Sequence, residues 1–121
     1  MSLDVYLYES TPFTCECGKA HRVPTKYRVY EANITHSLTA MAEAAGLYKP
    51  LWRPDEMGVN RAGDLADTLW DGLQRLEDNP ARWMAFNPVN GWGDYYGFKE
   101  FVEAYFKACR DNPEAFVEVD R

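Results

Sequence analysis

The chain has 121 residues, a length that fits one domain with its own hydrophobic core. Its formal net charge of −6, from 19 acidic and 13 basic side chains, argues against binding to the phosphate backbone of nucleic acids. No run without a charged residue is longer than 32–42, which is far shorter than the roughly 20 residues that cross a membrane. Three cysteines without a disulfide pattern, and no secretory signal at the start, lead us to expect a cytoplasmic protein with reduced thiols.

Two strands are predicted in the first quarter of the chain. Apolar and polar residues alternate near residues 3–9 and again near residues 26–32, which is the pattern of a half-buried strand. The segment between them, 10–25, contains two prolines and a glycine and has no sustained period. We therefore predict an antiparallel pair of strands with a cysteine-bearing loop insertion at 10–25.

Three main helices are predicted in the rest of the chain, near residues 34–45, 64–78 and 95–111. In each of them apolar residues recur at the three- and four-residue spacing of one helix face. Gly46 is well placed to end the first helix, and an alternating run near residues 115–120 predicts a third strand. The predicted fold is a single α+β domain over residues 1–121, with an antiparallel three-stranded sheet and its helices packed mainly on one face.

Cys15, Cys17 and His21 are the first candidate site, because thiolate and imidazole are ligands that zinc selects. The glycine after the second cysteine also resembles the turn of a zinc knuckle. One residue separates the cysteines, a closer spacing than in common zinc sites, and the fourth ligand would be His36, Cys109 or water. Two alternatives stay open: a structural zinc that closes the loop, or a hydrophilic loop with two thiols and no cofactor.

A second candidate site combines a helix start with two aromatic loops. Near a helix N-terminus the free backbone N–H groups favour an anion, and Asn and His side chains there can hydrogen-bond a ligand. Tryptophan and tyrosine offer flat stacking faces, and arginine pairs bidentately with phosphate or carboxylate. The predicted ligand-binding residues are Asn33, His36, Trp52, Arg53, Trp92 and Tyr96.

The same residues have a purely structural interpretation, which the sequence leaves open. Asn33 is a common helix cap, and the two tryptophans are large enough to close the ends of the core. The sequence contains no nucleophile elbow, phosphate-binding loop, dinucleotide fingerprint or metalloprotease helix. Catalytic residues are therefore not predicted.

Several short motifs resemble a small protein family that recurs in bacteriophage and prophage genomes. They are Asn33-Ile-Thr-His36, Leu51-Trp-Arg-Pro54 and Asn90-Gly-Trp-Gly93, together with the ending Val-Glu-Val-Asp-Arg. The resemblance covers most of the chain but not residues 10–25. It implies a phage-type accessory protein that acts in the cytoplasm of the host cell.

The leading hypothesis is a non-catalytic binding protein that blocks or sequesters a host component, such as a nucleotide-like ligand or a defence factor. One alternative is a small enzyme that acts on a nucleotide-like substrate with His36 as general base. Another is a protein–protein inhibitor that uses an exposed aromatic patch. The expected partner is a small molecule or a host protein, rather than a nucleic acid or a membrane.

Overall fold

The computed structural model describes the backbone of residues 2–14 and 20–121, and the side chains of residues 2–9 and 27–121. It confirms an α+β fold with an antiparallel sheet of three strands. The central strand is β1, flanked by β2 and β3. Their bounds are β1 (Ser2–Thr14), β2 (Ala20–Thr35) and β3 (Phe116–Asp120).

The hairpin of β1 and β2 is longer than the sequence pattern suggests. Backbone that the sequence assigned to a loop at 10–25 pairs in this hairpin, up to Thr14 in β1 and from Ala20 in β2. The register shifts between Thr11 and Phe13, on either side of Pro12, because proline has no N–H group to donate to the ladder. Proline here marks an irregularity in a strand rather than its end.

Five α-helices and two 3₁₀ turns follow the hairpin. The helices are α1 (Thr39–Ala44), α2 (Tyr48–Trp52), α3 (Ala62–Glu77), α4 (Pro80–Met84) and α5 (Tyr95–Asp111). The 3₁₀ turns are His36–Leu38 and Pro54–Met57. None of the helices in the described part of the chain is both long and apolar enough to cross a membrane.

The helix predicted near 34–45 is shorter in the structure, because β2 continues through Thr35 and α1 begins at Thr39. Ile34 pairs with Leu3 of the central strand and packs against the core, so an apolar residue that fitted the helical spacing belongs to the sheet. A 3₁₀ turn separates this strand from α1. The helix ends before Gly46, whose φ of 72° is the left-handed conformation that glycine tolerates best.

The helices cover one face of the sheet. Leu3, Val5 and Leu7 of the central strand are fully buried, in one core with the apolar stripes of α3 and α5. The opposite face carries half-buried Tyr6 and Tyr8. In this arrangement the end of β2 and the loop before α5 lie next to each other, and Asn90 of the loop bonds Ser37.

Two side-chain anchors fix the loop that connects α3 to α5. The indole N–H of Trp83 in α4 donates to the carbonyl oxygens of Arg75 (2.9 Å) and Asp78 (3.2 Å), which holds α4 against the end of α3. The hydroxyl of Tyr95 donates to the carbonyl oxygen of Leu76 at 2.5 Å. Trp83 and Tyr95 therefore fix the two ends of the segment between them.

Candidate functional site

A cleft of about 330 Å³ lies between the end of β2 and the loop that precedes α5. Its volume is near the lower end of the roughly 300–1,000 Å³ that ligand pockets occupy. One wall is formed by the residues that end β2 and begin the first 3₁₀ turn, and the other by the loop. The lining residues are Thr35, His36, Ser37, Asn90 and Trp92.

Gly93 allows the loop to lie directly against the 3₁₀ turn. Its φ is 91°, and a Cβ atom at this position would lie 2.8 Å from Thr35 Cγ2 and 2.9 Å from Leu38 Cδ1. Both distances are too short for a real Cβ contact, so any larger residue would push the loop away. Glycine at this position therefore lets the loop pack directly on the turn.

Asn90 ties the tip of the loop to the opposite wall. Its Oδ1 accepts the backbone N–H of Trp92 at 2.9 Å, which is the hydrogen bond of an Asx turn. Its Nδ2 donates to Ser37 Oγ at 3.1 Å. The side chain thus sets the position of the tryptophan and joins the two walls of the cleft.

The wall opposite the loop is polar. Thr35 Oγ1 accepts the backbone N–H of Ser37 at 3.3 Å and thereby caps the 3₁₀ turn. Because a hydroxyl group has one hydrogen to donate and two lone pairs, both Thr35 and Ser37 keep a hydrogen for another acceptor. The wall therefore combines hydroxyl groups with the imidazole of His36.

His36 is half-buried, and its ring meets the ring of Trp52 in a T-shaped contact, with centroids 6.2 Å apart and planes at 87°. Its Nε2 is buried and has no hydrogen-bond partner among the described residues. A buried polar atom without a partner costs about 1–3 kcal/mol, and exceptions of this kind often have a functional reason. This residue is the most unusual part of the wall.

Trp92 stands on the loop with 69% of its surface exposed. Val89 and Tyr96, close to it along the chain, are exposed by 107% and 61%. Scattered apolar residues are normal on a protein surface, but several within eight positions suggest an interaction surface. Of these three residues, Trp92 lines the cleft.

The structure brings His36 and Trp92 together in the cleft and places Trp52 behind them. Trp52 lies in α2, is 2% exposed, and stacks on Tyr48 with ring centroids 5.8 Å apart. Its carbonyl oxygen accepts a hydrogen bond from Arg121 at 2.9 Å. Trp52 therefore supports the imidazole ring from the core side and offers no free face to a ligand.

Arg53 and Asn33 do not line the cleft, and both have other partners. Arg53 Nε donates to the hydroxyl oxygen of Tyr48 at 3.1 Å, and its Nη1 contacts Glu56 at 3.3 Å. The hydrogen bond to Tyr48 is the main cause that raises the pKa of Arg53. Asn33 Nδ2 donates across the sheet to Asp4 Oδ1 at 2.7 Å and to Ser2 Oγ at 2.8 Å.

The sequence reasoning missed the three small polar residues of the cleft, Thr35, Ser37 and Asn90. Two signals pointed to Thr35 and Asn90. Thr35 and Asn90 belong to the same short motifs as His36 and Trp92, and Asn90-Gly91 is a typical start of a turn whose asparagine bonds the backbone two residues later. Their meeting depends on how the loop returns to β2, which no local pattern specifies.

A second, slightly larger cleft of about 390 Å³ lies on the other side of α2. Its lining residues are Glu43, Gly46, Tyr48, Lys49, Pro50, Met57 and Thr68. Its polar groups are the charged side chains of Glu43 and Lys49 and the hydroxyl groups of Tyr48 and Thr68, and the described residues of its lining include no imidazole and no side-chain amide. We therefore assign the candidate site to the first cleft.

The zinc prediction concerns residues outside the described side chains. Cys15 and Cys17 lie in 15–19, and the side chain of His21 is likewise not described. Within residues 2–9 and 27–121 no group of three or more His, Cys, Asp or Glu side chains is arranged to hold a metal ion. Burial raises the pKa of the Cys109 thiol to about 12, so this residue is a neutral part of the core.

Comparisons with protein-family models, curated proteins and solved structures gave no match. The resemblance of the short motifs to a phage family therefore stays a prediction. The function has to be inferred from the cleft and from the exposed Trp92 that lines it.

Proposed function

We propose that this protein is a non-catalytic binding protein of the phage accessory type, which acts in the cytoplasm of the host cell and blocks or sequesters a host component. The observation that carries the proposal is the position of Trp92, an exposed indole held beside a polar cleft by the hydrogen bonds of Asn90. Tryptophan is enriched among the residues that carry most of the binding energy of an interface.

The contacts around the cleft favour binding over catalysis. A general-base histidine is usually oriented by a hydrogen bond from its second nitrogen to a fixed acceptor, and it stands within reach of the proton that it removes. In this cleft the ring of His36 contacts the ring of Trp52, and His36 Nε2 is buried without a partner in the described part of the chain. The hydroxyl and amide groups instead suit the recognition of a polar edge.

A small enzyme with His36 as general base is the second candidate function. The observation in its favour is that His36 lines the cleft, next to the hydroxyl groups of Thr35 and Ser37. A protein–protein inhibitor is the third candidate, and the exposure of Val89, Trp92 and Tyr96 favours it. The three candidates differ in whether the protein binds a small molecule or a host protein, and in whether it converts the bound small molecule into a product.

Affinity capture from a lysate of the bacterial host tests the proposal, with mass spectrometry of retained proteins and small molecules together. We expect the wild-type protein to retain a defined molecule, and Trp92→Ala to lose it. Trp70→Ala is the matched control, because Trp70 is also an exposed tryptophan (46%) but packs on Phe106 between α3 and α5. Equal capture by both variants would refute the proposal.

The same experiment separates the alternatives. A retained small molecule that leaves unchanged supports sequestration, whereas a converted product that His36→Gln abolishes supports the enzyme. Capture of a host protein alone supports the inhibitor. Thermal unfolding of each variant shows whether a loss of capture reflects the site or the fold.

A further inference from the structure

The charge around the cleft indicates the class of ligand that it accepts. None of the described residues that line it is charged, since they carry two hydroxyl groups, an amide, an imidazole and an indole. Along the chain the charged residue nearest to Trp92 is Asp94, and those nearest to His36 are Glu31 and Glu43. An anionic group in this cleft would meet no cation of the lining and would face a chain of net charge −6.

Arg53, the residue that the sequence offered for a phosphate or carboxylate, does not change this conclusion. It is not part of the lining, and its guanidinium group bonds to Tyr48 and Glu56. Recognition of a phosphate in proteins generally uses cationic side chains or a row of backbone N–H groups. The cleft therefore suits an uncharged ligand better than a nucleotide.

The shape and chemistry of the cleft favour a flat ligand with a polar edge. The indole of Trp92 provides an exposed stacking face at the rim, and stacking on aromatic side chains is a common way to hold a base. Ser37 and Thr35 supply hydroxyl donors, and the amide of Asn90 bonds Ser37 Oγ and the backbone N–H of Trp92. A purine or pyrimidine has both features, a π face and an edge of donors and acceptors.

Building on the proposed function, we infer that the ligand is an uncharged planar heterocycle of the nucleobase type, taken as a free base or nucleoside. It stacks on Trp92 and turns its polar edge toward Thr35 and Ser37. The same chemistry occurs in a base of a single-stranded nucleic acid. The net charge of −6 disfavours that source, because every phosphate of the backbone would be repelled.

Isothermal titration calorimetry of the full chain tests the inference with adenosine, guanosine, cytidine and uridine, their 5′-monophosphates, and a short single-stranded oligonucleotide. We expect at least one nucleoside to bind with one-to-one stoichiometry. Its monophosphate and the oligonucleotide should bind no more tightly. Trp92→Ala should weaken the binding by about tenfold or more, because a base loses roughly that much on removal of its stacking partner.

Two further variants test whether a loss of nucleoside affinity in Trp92→Ala is caused by the loss of stacking. Trp92→Phe retains a flat ring and should recover part of the affinity, and Trp70→Ala should change it by less than about twofold. The inference is overturned if no nucleoside binds at about 5 mM, a concentration that detects even a weak site. It is also overturned if a monophosphate binds at least about tenfold more tightly than its nucleoside, if the oligonucleotide binds more tightly, or if Trp92→Ala has no effect.

The test of the ligand class can be separated from the test of the proposed binding function. If capture from the host lysate depends on Trp92 but the retained molecule is charged, the inference about ligand class fails and the binding function stands. If capture does not depend on Trp92, both fail. A neutral heterocycle that is retained by the wild type and lost in Trp92→Ala supports both.

Discussion

The contact of Gly93 with the 3₁₀ turn gives a sharp prediction about the cleft. Replacing Gly93 with alanine adds one methyl group at a site where Cβ would lie 2.8 Å from Thr35 Cγ2 and 2.9 Å from Leu38 Cδ1. Leu38 is fully buried, so its side chain has little room to move aside. The variant should therefore either strain the core or release the loop from the turn.

Two terms contribute to the expected cost. A non-glycine residue in the left-handed region costs about 1–2 kcal/mol, and forcing a methyl group into a packed contact costs about 1–3 kcal/mol more. Gly91 separates the two terms, because its φ of 76° is also positive but nothing lies within 4 Å of an added Cβ. Gly91→Ala should show the first term alone, and Gly93→Ala the sum of about 2–5 kcal/mol.

Urea unfolding followed by far-ultraviolet circular dichroism measures both variants against the wild type. Amide hydrogen exchange of residues 87–94 shows whether the loop has left the turn, in which case the loss of global stability is smaller and the exchange of the loop is faster. Ligand capture should fall in Gly93→Ala and persist in Gly91→Ala. If the two variants have the same stability, loop exchange and capture, the close packing of Gly93 on the turn is refuted.

Other predictions follow from the core and from the cysteines. Gly72→Ala should destabilise the protein by about 1–3 kcal/mol despite the better helix propensity of alanine, because the added Cβ would overlap Leu47 Cδ2, and the cost should shrink in a Leu47→Ala background. In a Cys15→Ser, Cys17→Ser variant, Cys109 should resist a thiol reagent at pH 8 until urea unfolds the chain, because burial raises its pKa from 9.0 to about 12. Above pH 9 the thiol ionises in the unfolded chain before it does so in the folded protein, which lowers the free energy of unfolding as the pH rises. This free energy should therefore fall less steeply above pH 9 in Cys109→Ala than in the wild type. If the sequence-predicted zinc site exists, metal analysis of protein purified without chelator should find zinc in the wild type and lose it in the Cys15→Ser, Cys17→Ser variant.

The fold was largely predictable because strand and helix periodicities were strong. The helix predicted near 95–111 has those bounds in the structure, since its apolar stripe begins just after the Asp94 cap. The assignment of Ile34 to a helix was wrong because this residue fits both the helix and the strand periodicity. Only its pairing with Leu3 across the hairpin decides between them. Trp52 was predicted to lie in an aromatic loop but belongs to α2, because Pro50 is compatible with the first turn of a helix, where its missing N–H is not needed.

The candidate site was predictable in part. His36 and Trp92 are rare residue types in a small protein, which made them conspicuous in the sequence. Whether they meet depends on the return of the loop onto β2, and that return is fixed by contacts of Gly93 and Asn90 with residues more than fifty positions away. Arg53 illustrates the opposite case, because two neighbours along the chain, Tyr48 and Glu56, already hold a side chain that was expected to bind a ligand.

Nuclear magnetic resonance titration of ¹⁵N-labelled protein tests the central claim most directly, that the cleft beside Trp92 is the binding site. The ligand is the molecule retained from host lysate, or the tightest nucleoside of the calorimetric panel. Amide shifts should change at residues 35–37 and 90–96 and stay constant in Trp92→Ala. Shifts confined to the second cleft, around Tyr48 and Met57, or to the open face of the sheet at Tyr6, would contradict the claim.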